Sequence, residues 1–235
     1  MPLMRLDKII SDSGVASRKE AAALIKRGFV IVGGAVAVSP ADKCDPETTK
    51  IIVNGKEINY KTNYYIMMNK PAGYVSATED KSEQTVVSLL KGEYAKRDLF
   101  PTGRLDKDAE GFILLTNDGD FAHKVISPKK HIAKKYYICV DGILETGDIK
   151  AVSEGIILKD GTRCMPGTLE IIDDNCAYIT IFEGKYHQVK RMMASLGKPV
   201  GYLKRISIGG LALDDALLPG EYREIADKEL DNILK

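Results

Sequence analysis

Residues 103–119 read GRLDKDAEGFILLTNDG, a cluster of charged side chains set directly against an apolar run that ends at Asn-Asp-Gly, a strong turn signal. Asp106 has Arg104 two residues before it, and in an extended chain such side chains project to the same side. A guanidinium placed there would orient the carboxylate and favour its ionised form. An ionised aspartate can serve as a nucleophile. Hydrolytic readings find little support, because no acid partner of the kind glycosidases use is identifiable and no Ser-His-Asp or Cys-His signature lies nearby. A calcium loop is a closer match: Asp106, Asp108, Glu110 and Gly111 occupy positions 1, 3, 5 and 6 of an EF-hand. Position 12, however, is Asn117 in place of the bidentate Glu, and Phe112–Leu115 reads as a buried strand where a helix is required. Spacing alone therefore reads first as a structural Arg–Asp ion pair and second as a reacting carboxylate.

The chain that must position these residues has 235 of them, enough for one large domain or two unequal ones. No apolar segment approaches the roughly 20 residues that cross a bilayer, and MPLMRLDK has no apolar signal region, so a soluble protein of the cytoplasm, away from membranes, is expected. Cys44, Cys139, Cys164 and Cys176 are too scattered for a C-x-x-C metal or redox pair, which fits a reducing compartment. The net charge is only +1, but its distribution is uneven. Residues 121–140 carry Lys124, Lys129, Lys130, Lys134 and Lys135 with no acid, and residues 184–213 carry Lys185, Lys190, Arg191, Lys198, Lys204 and Arg205, again with none. Interleaved with Tyr136, Tyr137, Tyr186, His187 and Tyr202, they describe a basic surface with aromatic platforms suited to RNA.

Two domains are expected, over 1–60 and 61–235, joined by a polar stretch near Asn59–Asn63. In the first, Ser17 and Glu20 have capping-box spacing, Ala21, Leu24 and Ile25 share a face, and Gly28 supplies a stop, predicting a helix over about 18–27. FVIVGGAVAV reads as two strands joined at Gly33-Gly34, and IIVNGKEI as a hairpin turning at Asn54-Gly55. Beyond residue 61, strand and turn signals alternate to the end. A helix follows the HQVK turn, with Val189, Met192, Met193 and Leu196 at helical spacing, and the tail after Asp227 reads as a short helix.

MRLDKIISDSGVASRKEAAALIKRGFVIVGG resembles the S4 RNA-binding module, which implies phosphate contacts from Arg5, Arg18, Lys19, Lys26 and Arg27. MNKPAGYVSA, GRLDKDAEGFILLTNDG, KKYYICVDG and EGKYHQVKRMMASLG, in this order, resemble the motifs of the RsuA/RluB-type pseudouridine synthases. That resemblance implies an α+β fold: a small S4-like α/β module, then a larger catalytic domain on a mixed, mainly antiparallel sheet with flanking helices and a central active-site cleft. It implies isomerisation of uridine within RNA, in which the base is detached at N1–C1′, turned and reattached through C5, with no cofactor and no metal. Carried over by motif, Asp106 is the nucleophile, Tyr136 packs on the flipped uracil and relays its C5 proton, and Lys190 keeps Asp106 ionised. Arg104, Asn69, Lys70, Lys134, His187, Gln188 and Arg191 complete the substrate-binding set. Ala109 and Phe112 depart from the Thr and Leu usual in that family. His187 and Lys190 in EGKYHQVKRM lean toward the small-subunit branch, hence toward 16S rRNA or a small-subunit assembly intermediate as partner and a monomeric enzyme. The alternatives are a 23S rRNA synthase of the same family and a catalytically vestigial RNA-binding or ribosome-assembly factor, against which the intact GRLD and Tyr136 stand.

Overall fold

Ser17 starts the best-capped helix of the chain. Its hydroxyl accepts from the Glu20 N–H while the Glu20 carboxylate accepts from the Ser17 N–H, a capping box of the kind that stabilises a helix by about 1 kcal/mol. This helix ends as the sequence requires. Gly28, at φ 75°, and Phe29 donate to the carbonyls of Ile25 and Leu24, both at 3.0 Å, closing a Schellman motif. The computed structural model describes residues 3–46, 48–58 and 60–235; Met1 and Pro2 of the N-terminal segment and Asn59 of the expected joint lie outside them. The chain divides into two compact units, Met1–Asn63 and Tyr64–Lys235.

In the first unit the elements are β1 (Met4–Arg5), α1 (Leu6–Asp12), α2 (Arg18–Lys26), β2 (Val30–Val32), β3 (Ala35–Val36), β4 (Lys43–Cys44), β5 (Ile51–Val53) and β6 (Lys56–Ile58). Strands β3-β2-β5-β6 form one sheet in that order, and β1 pairs with β4. Leu6, Ile9 and Ile10 of α1 and Ala21 and Ile25 of α2 bury against Val30, Ile51 and Val53. The turn between β5 and β6 has both central residues at positive φ, Asn54 at 50° and Gly55 at 79°, which is why Asn-Gly marks it in the sequence.

The second unit contains β7 (Tyr65–Lys70), β8 (Phe100–Pro101), β9 (Glu110–Thr116), α3 (Gly119–Ile126), β10 (Lys134–Val140), α4 (Thr146–Glu154), β11 (Thr168–Ile171), β12 (Cys176–Ile181), α5 (Gln188–Ser195), β13 (Val200–Ile208), β14 (Leu211–Ala212), β15 (Tyr222–Glu224) and α6 (Asp227–Ile233). One nine-stranded sheet runs β11-β12-β10-β13-β9-β7-β15, with β14 on β13 and β8 on β9. It is antiparallel except where β13 meets β9 through Lys204–Glu110 and Arg205–Gly111. Gly111 makes that pairing possible: a Cβ there would lie 2.2 Å from the Arg205 carbonyl oxygen, and φ is 97°.

Every residue of β7 is buried, as expected of a central strand covered on both faces. Ile66 and Met68 face a core shared with Ile113, Leu115, Ile138, Val152 and Met192, while Tyr65 and Met67 face a second core with Phe112, Leu114, Phe121 and Ile233. Two features depart from the expected run of strands and turns. Asn-Asp-Gly at 117–119 opens a helix, with the Asp118 carboxylate accepting from the Phe121 N–H at 3.0 Å as N-cap of α3; α4 is likewise a helix. The cysteines also hold a pairing their spacing concealed. Cys139 and Cys176, 37 residues apart, are brought directly opposite by β10 and β12 and form a disulfide.

Candidate active site

Lys70 ends β7 on the face of the first core, and its side chain is wholly buried. Its ammonium donates to the carbonyls of Pro71 and Lys107, each at 3.1 Å, and of Ala109 at 2.6 Å. Burial pushes its pKa down to about 8, against the opposing pull of the Asp108, Asp106 and Glu110 carboxylates. The same segment grips the loop between β8 and β9 twice more. The Ser76 hydroxyl donates to the Leu105 carbonyl at 2.8 Å and accepts from the Leu105 N–H at 2.9 Å, and the Gly73 N–H donates to the Lys107 carbonyl at 2.7 Å. MNKPAGYVSA therefore holds GRLDKDAE by its backbone. Ala109 fills a fully buried site and is held through its carbonyl.

Held in this way, Asp106 presents a carboxylate whose side chain is 19% exposed. Two residues of the α5 region face it: His187 Nε2 lies 3.4 Å from Oδ1 and Lys190 Nζ 3.7 Å from Oδ2. His187 precedes α5 in the left-handed region, φ 46° and ψ 38°, a conformation that costs a non-glycine residue about 1–3 kcal/mol and so must be imposed by its surroundings. The imposing contacts are those of Gln188, whose Oε1 accepts from the Lys185 N–H and whose Nε2 donates to Glu183, both at 2.9 Å. Lys190 is shared. Its hydrogen bonds go to Asp108, 2.6 Å from each carboxylate oxygen, and hold that carboxyl below the usual carboxylate range.

Tyr136, on β10, belongs to the same core as Leu105, Ala109, Val189 and Met192 and is 8% exposed. Its hydroxyl makes no hydrogen bond among the described residues. Directly opposite on β13 is Arg205, which the reading of the sequence passed over as one more charge in a basic stretch. Its Nε donates to the Phe112 carbonyl at 2.7 Å, while one terminal nitrogen is buried without a hydrogen-bond partner among the described residues.

The remaining candidates disperse. Arg104 is exposed and makes no ion pair with Asp106: residues 104–106 are not in a strand and the chain turns directly after them, with the Ala109 N–H donating to the Asp106 carbonyl at 3.1 Å, so the regular alternation that i, i+2 reasoning assumes does not hold. Asn69 lies on the opposite side of β7 from Lys70 by strand alternation and donates to the Leu217 carbonyl at 2.8 Å. Lys134 is buried, donates to the Val125 carbonyl at 3.1 Å, and has its pKa pushed down to about 8 by burial. Gln188 is 4% exposed and engaged within its own loop. Arg191 turns away from Asp106, pairing with Asp160 and donating to the Tyr186 carbonyl. In the first unit Arg5 grips Asp7 with two hydrogen bonds, Arg18 lies 3.8 Å from the same carboxylate, Lys19 and Lys26 are exposed, and Arg27 stacks over Phe29 at 4.9 Å. Among the described residues no group of three His, Cys, Asp or Glu side chains could hold a metal ion.

The catalytic unit and the module before it both match known families. The model for RNA pseudouridylate synthase matches residues 64–195, and that of the S4 domain matches residues 4–50. The chain belongs to the RNA pseudouridylate synthase family. It is 46% identical to the uncharacterized RNA pseudouridine synthase YtzG of Bacillus subtilis, covering 97% of each chain. It is 42% identical to ribosomal small subunit pseudouridine synthase A of Vibrio cholerae, over 99% of this chain and 100% of that one. A crystal structure of a pseudouridylate synthase aligns over 98% of this chain and 99% of the other, with a TM-score of 0.70 at 35% identity. This synthase is thus an isomerase acting on uridine in RNA, on an α+β fold with an N-terminal S4 domain. No helix among the described residues is long and apolar enough to cross a membrane.

Proposed function

We propose that this synthase converts a uridine of 16S rRNA to pseudouridine, with Asp106 as nucleophile. The observation that supports the assignment is the Asp106 carboxylate, in a loop tied by Lys70 and Ser76 and faced by His187 and Lys190, next to Leu105, which shares a core with Tyr136. A uridine inside folded RNA must be extruded before its glycosidic bond can react, at a cost of a few kcal/mol. Asp106 bonds to the reacting nucleotide as the N1–C1′ bond breaks, and is released again when C5–C1′ forms. The base turns, C5–C1′ forms, the C5 proton leaves by way of the Tyr136 hydroxyl, and N1 takes up a proton, so the reaction balances without a cofactor. Lys190 and His187 hold the Asp106 charge in place, and exposed basic residues of the S4 module, Lys19, Lys26 and Arg27 foremost, dock the RNA by its phosphates. The small-subunit target is supported by His187 and Lys190 in the EGKYHQVKRM segment and by the full-length likeness to small-subunit synthases. The enzyme acts as a monomer in the cytoplasm, where the adjacent Cys139 and Cys176 would be held as thiols, on free rRNA or on a small-subunit assembly intermediate.

The test maps pseudouridines in 16S and 23S rRNA from cells with the gene, without it, and carrying Asp106→Asn. One 16S site should vanish on deletion and stay absent with Asp106→Asn, because that change keeps volume and removes only the charge. A lost site in 23S rRNA overturns the target, and full modification by Asp106→Asn overturns the nucleophile.

A further inference from the structure

Tyr186 is 70% exposed, yet one face of its ring is covered. Its ring stacks on His187 with centroids 3.9 Å apart and planes 17° from parallel. Its carbonyl accepts from Arg191, the N–H before it is bonded to Gln188 Oε1, and the residue after it is locked in the left-handed region. An exposed ring stacked on one side only leaves its other flat face toward water, and the residue lies outside the apolar cores. The inner face connects straight to the chemistry, because the imidazole beneath it lies 3.4 Å from Asp106. Lys190 and Arg191 follow in the first turn of α5, each paired with a carboxylate, Asp108 and Asp160 respectively.

We propose that the outer face of Tyr186 is a stacking platform for the unpaired base adjoining the flipped uridine in the RNA chain. The proposal rests on the enzymatic reading above and adds to it a binding contact. Extruding one base breaks the stacking of its neighbours, and a preformed aromatic face that receives one of them offsets part of that loss. Because every base has a π-face, the contact holds the RNA strand in register beside Asp106 without selecting a sequence. A ring already stacked on His187 needs less ordering on binding than a free one.

The test uses the full chain and in-vitro transcripts of the source organism's 16S and 23S rRNA. Tyr186→Ala should weaken RNA binding roughly tenfold or more, equivalent to about 1.4 kcal/mol, and raise KM more than it lowers kcat, while Tyr186→Phe should bind as the wild type does. Ultraviolet cross-linking of the wild-type complex should join Tyr186 to a nucleotide next to the uridine that becomes pseudouridine. Unchanged affinity in Tyr186→Ala, a tenfold loss in Tyr186→Phe as well, or a Tyr186 cross-link distant from the modified uridine each overturns the platform. If the wild type modifies no uridine in either RNA, the enzymatic reading fails; the affinities of the Ala and Phe variants still decide whether Tyr186 stacks on a base.

Discussion

Lys190 gives its hydrogen bonds to Asp108, 2.6 Å from each carboxylate oxygen, although Asp106, the proposed nucleophile, lies 3.7 Å away. The Asp108 side chain is 73% exposed and that of Asp106 only 19%. Charge pairs weaken in water, so the longer contact sits in the environment where attraction counts for more. Asp108→Asn is expected to keep single-turnover isomerisation within about tenfold of wild type, since it leaves Lys190 with one carboxylate to serve, Asp106. Lys190→Met strips both carboxylates of their shared cation and should cost roughly 10²-fold or more. Single-turnover rates at saturating RNA check the ranking. An Asp108→Asn enzyme as slow as Lys190→Met would make Asp108 the partner that matters.

The Tyr64–Lys235 unit has two apolar cores of its own, and the nine apolar residues that form the S4 core all lie before residue 54. A chain lacking residues 1–63 should therefore fold, bind RNA more weakly and show a flatter salt dependence. Of the five expected phosphate contacts, Arg5 and Arg18 already share Asp7, which leaves Lys19, Lys26 and Arg27. Their loss should reduce the slope of log affinity against log salt by about 2 to 3. Filter binding over a salt series measures it, and an unchanged slope would remove the S4 module from RNA docking.

Local signals in the sequence carried α2 and the β2–β3 and β5–β6 pairs almost to their ends, because Ser17 and Glu20, Gly28, and Asn54-Gly55 each specify a backbone conformation within a few residues; α1, β1 and β4 carry no such signal and were not read. The site was legible in its parts and less so in its pairings. Strand alternation, visible in YYIMMNK, was enough to separate Lys70 from Asn69, yet both were read as substrate contacts. Asp118 signalled a turn because the same Asx chemistry starts turns and caps helices; only the apolar positions Phe121, Ala122 and Val125 distinguish α3. Lys190 could be found by motif, but its preference for Asp108 over Asp106 depends on where α5 lies against a loop 82 residues earlier, which no local rule encodes. The Cys139–Cys176 pair is of the same kind, fixed by β10 and β12 register.

Tyr136 makes opposite demands on Phe and Ala. Its ring is packed into the core and its hydroxyl is free of partners among the described residues, so Tyr136→Phe removes a group that the resting fold does not use. If the hydroxyl relays the C5 proton, Phe should slow single-turnover isomerisation roughly 10²-fold or more with RNA affinity little changed. Tyr136→Ala should lose activity for a second reason, because emptying a buried aromatic site destabilises by about 3–5 kcal/mol. Urea unfolding of both variants separates the two causes. A Phe enzyme near wild-type speed would leave Tyr136 as packing and platform alone.

Lys70 and Lys134 predict an unusual pH dependence of stability. Burial lowers both folded-state pKa values from 10.5 to about 8. Below pH 8 each lysine is charged in both folded and unfolded chains, and the fold carries the full cost of two buried cations. Between pH 8 and 10.5 the unfolded chain keeps protons that the folded chain has released, so stability rises with pH through this window, by at most about 1.4 kcal/mol per unit for each group. Tyr94 and Tyr202 act in the reverse sense. Burial, reinforced by Glu224 and Glu110, raises their pKa values from 10 to about 12, so above pH 10 the folded chain holds protons the unfolded chain has lost and stability falls. Lys70→Met removes one lysine's contribution without touching the tyrosines. The stability of the wild type relative to Lys70→Met, from urea unfolding at each pH, should therefore increase between pH 8 and 10. A difference that stays flat over that range would show that the Lys70 ammonium, tied to three carbonyls, keeps its ordinary affinity for protons despite its burial.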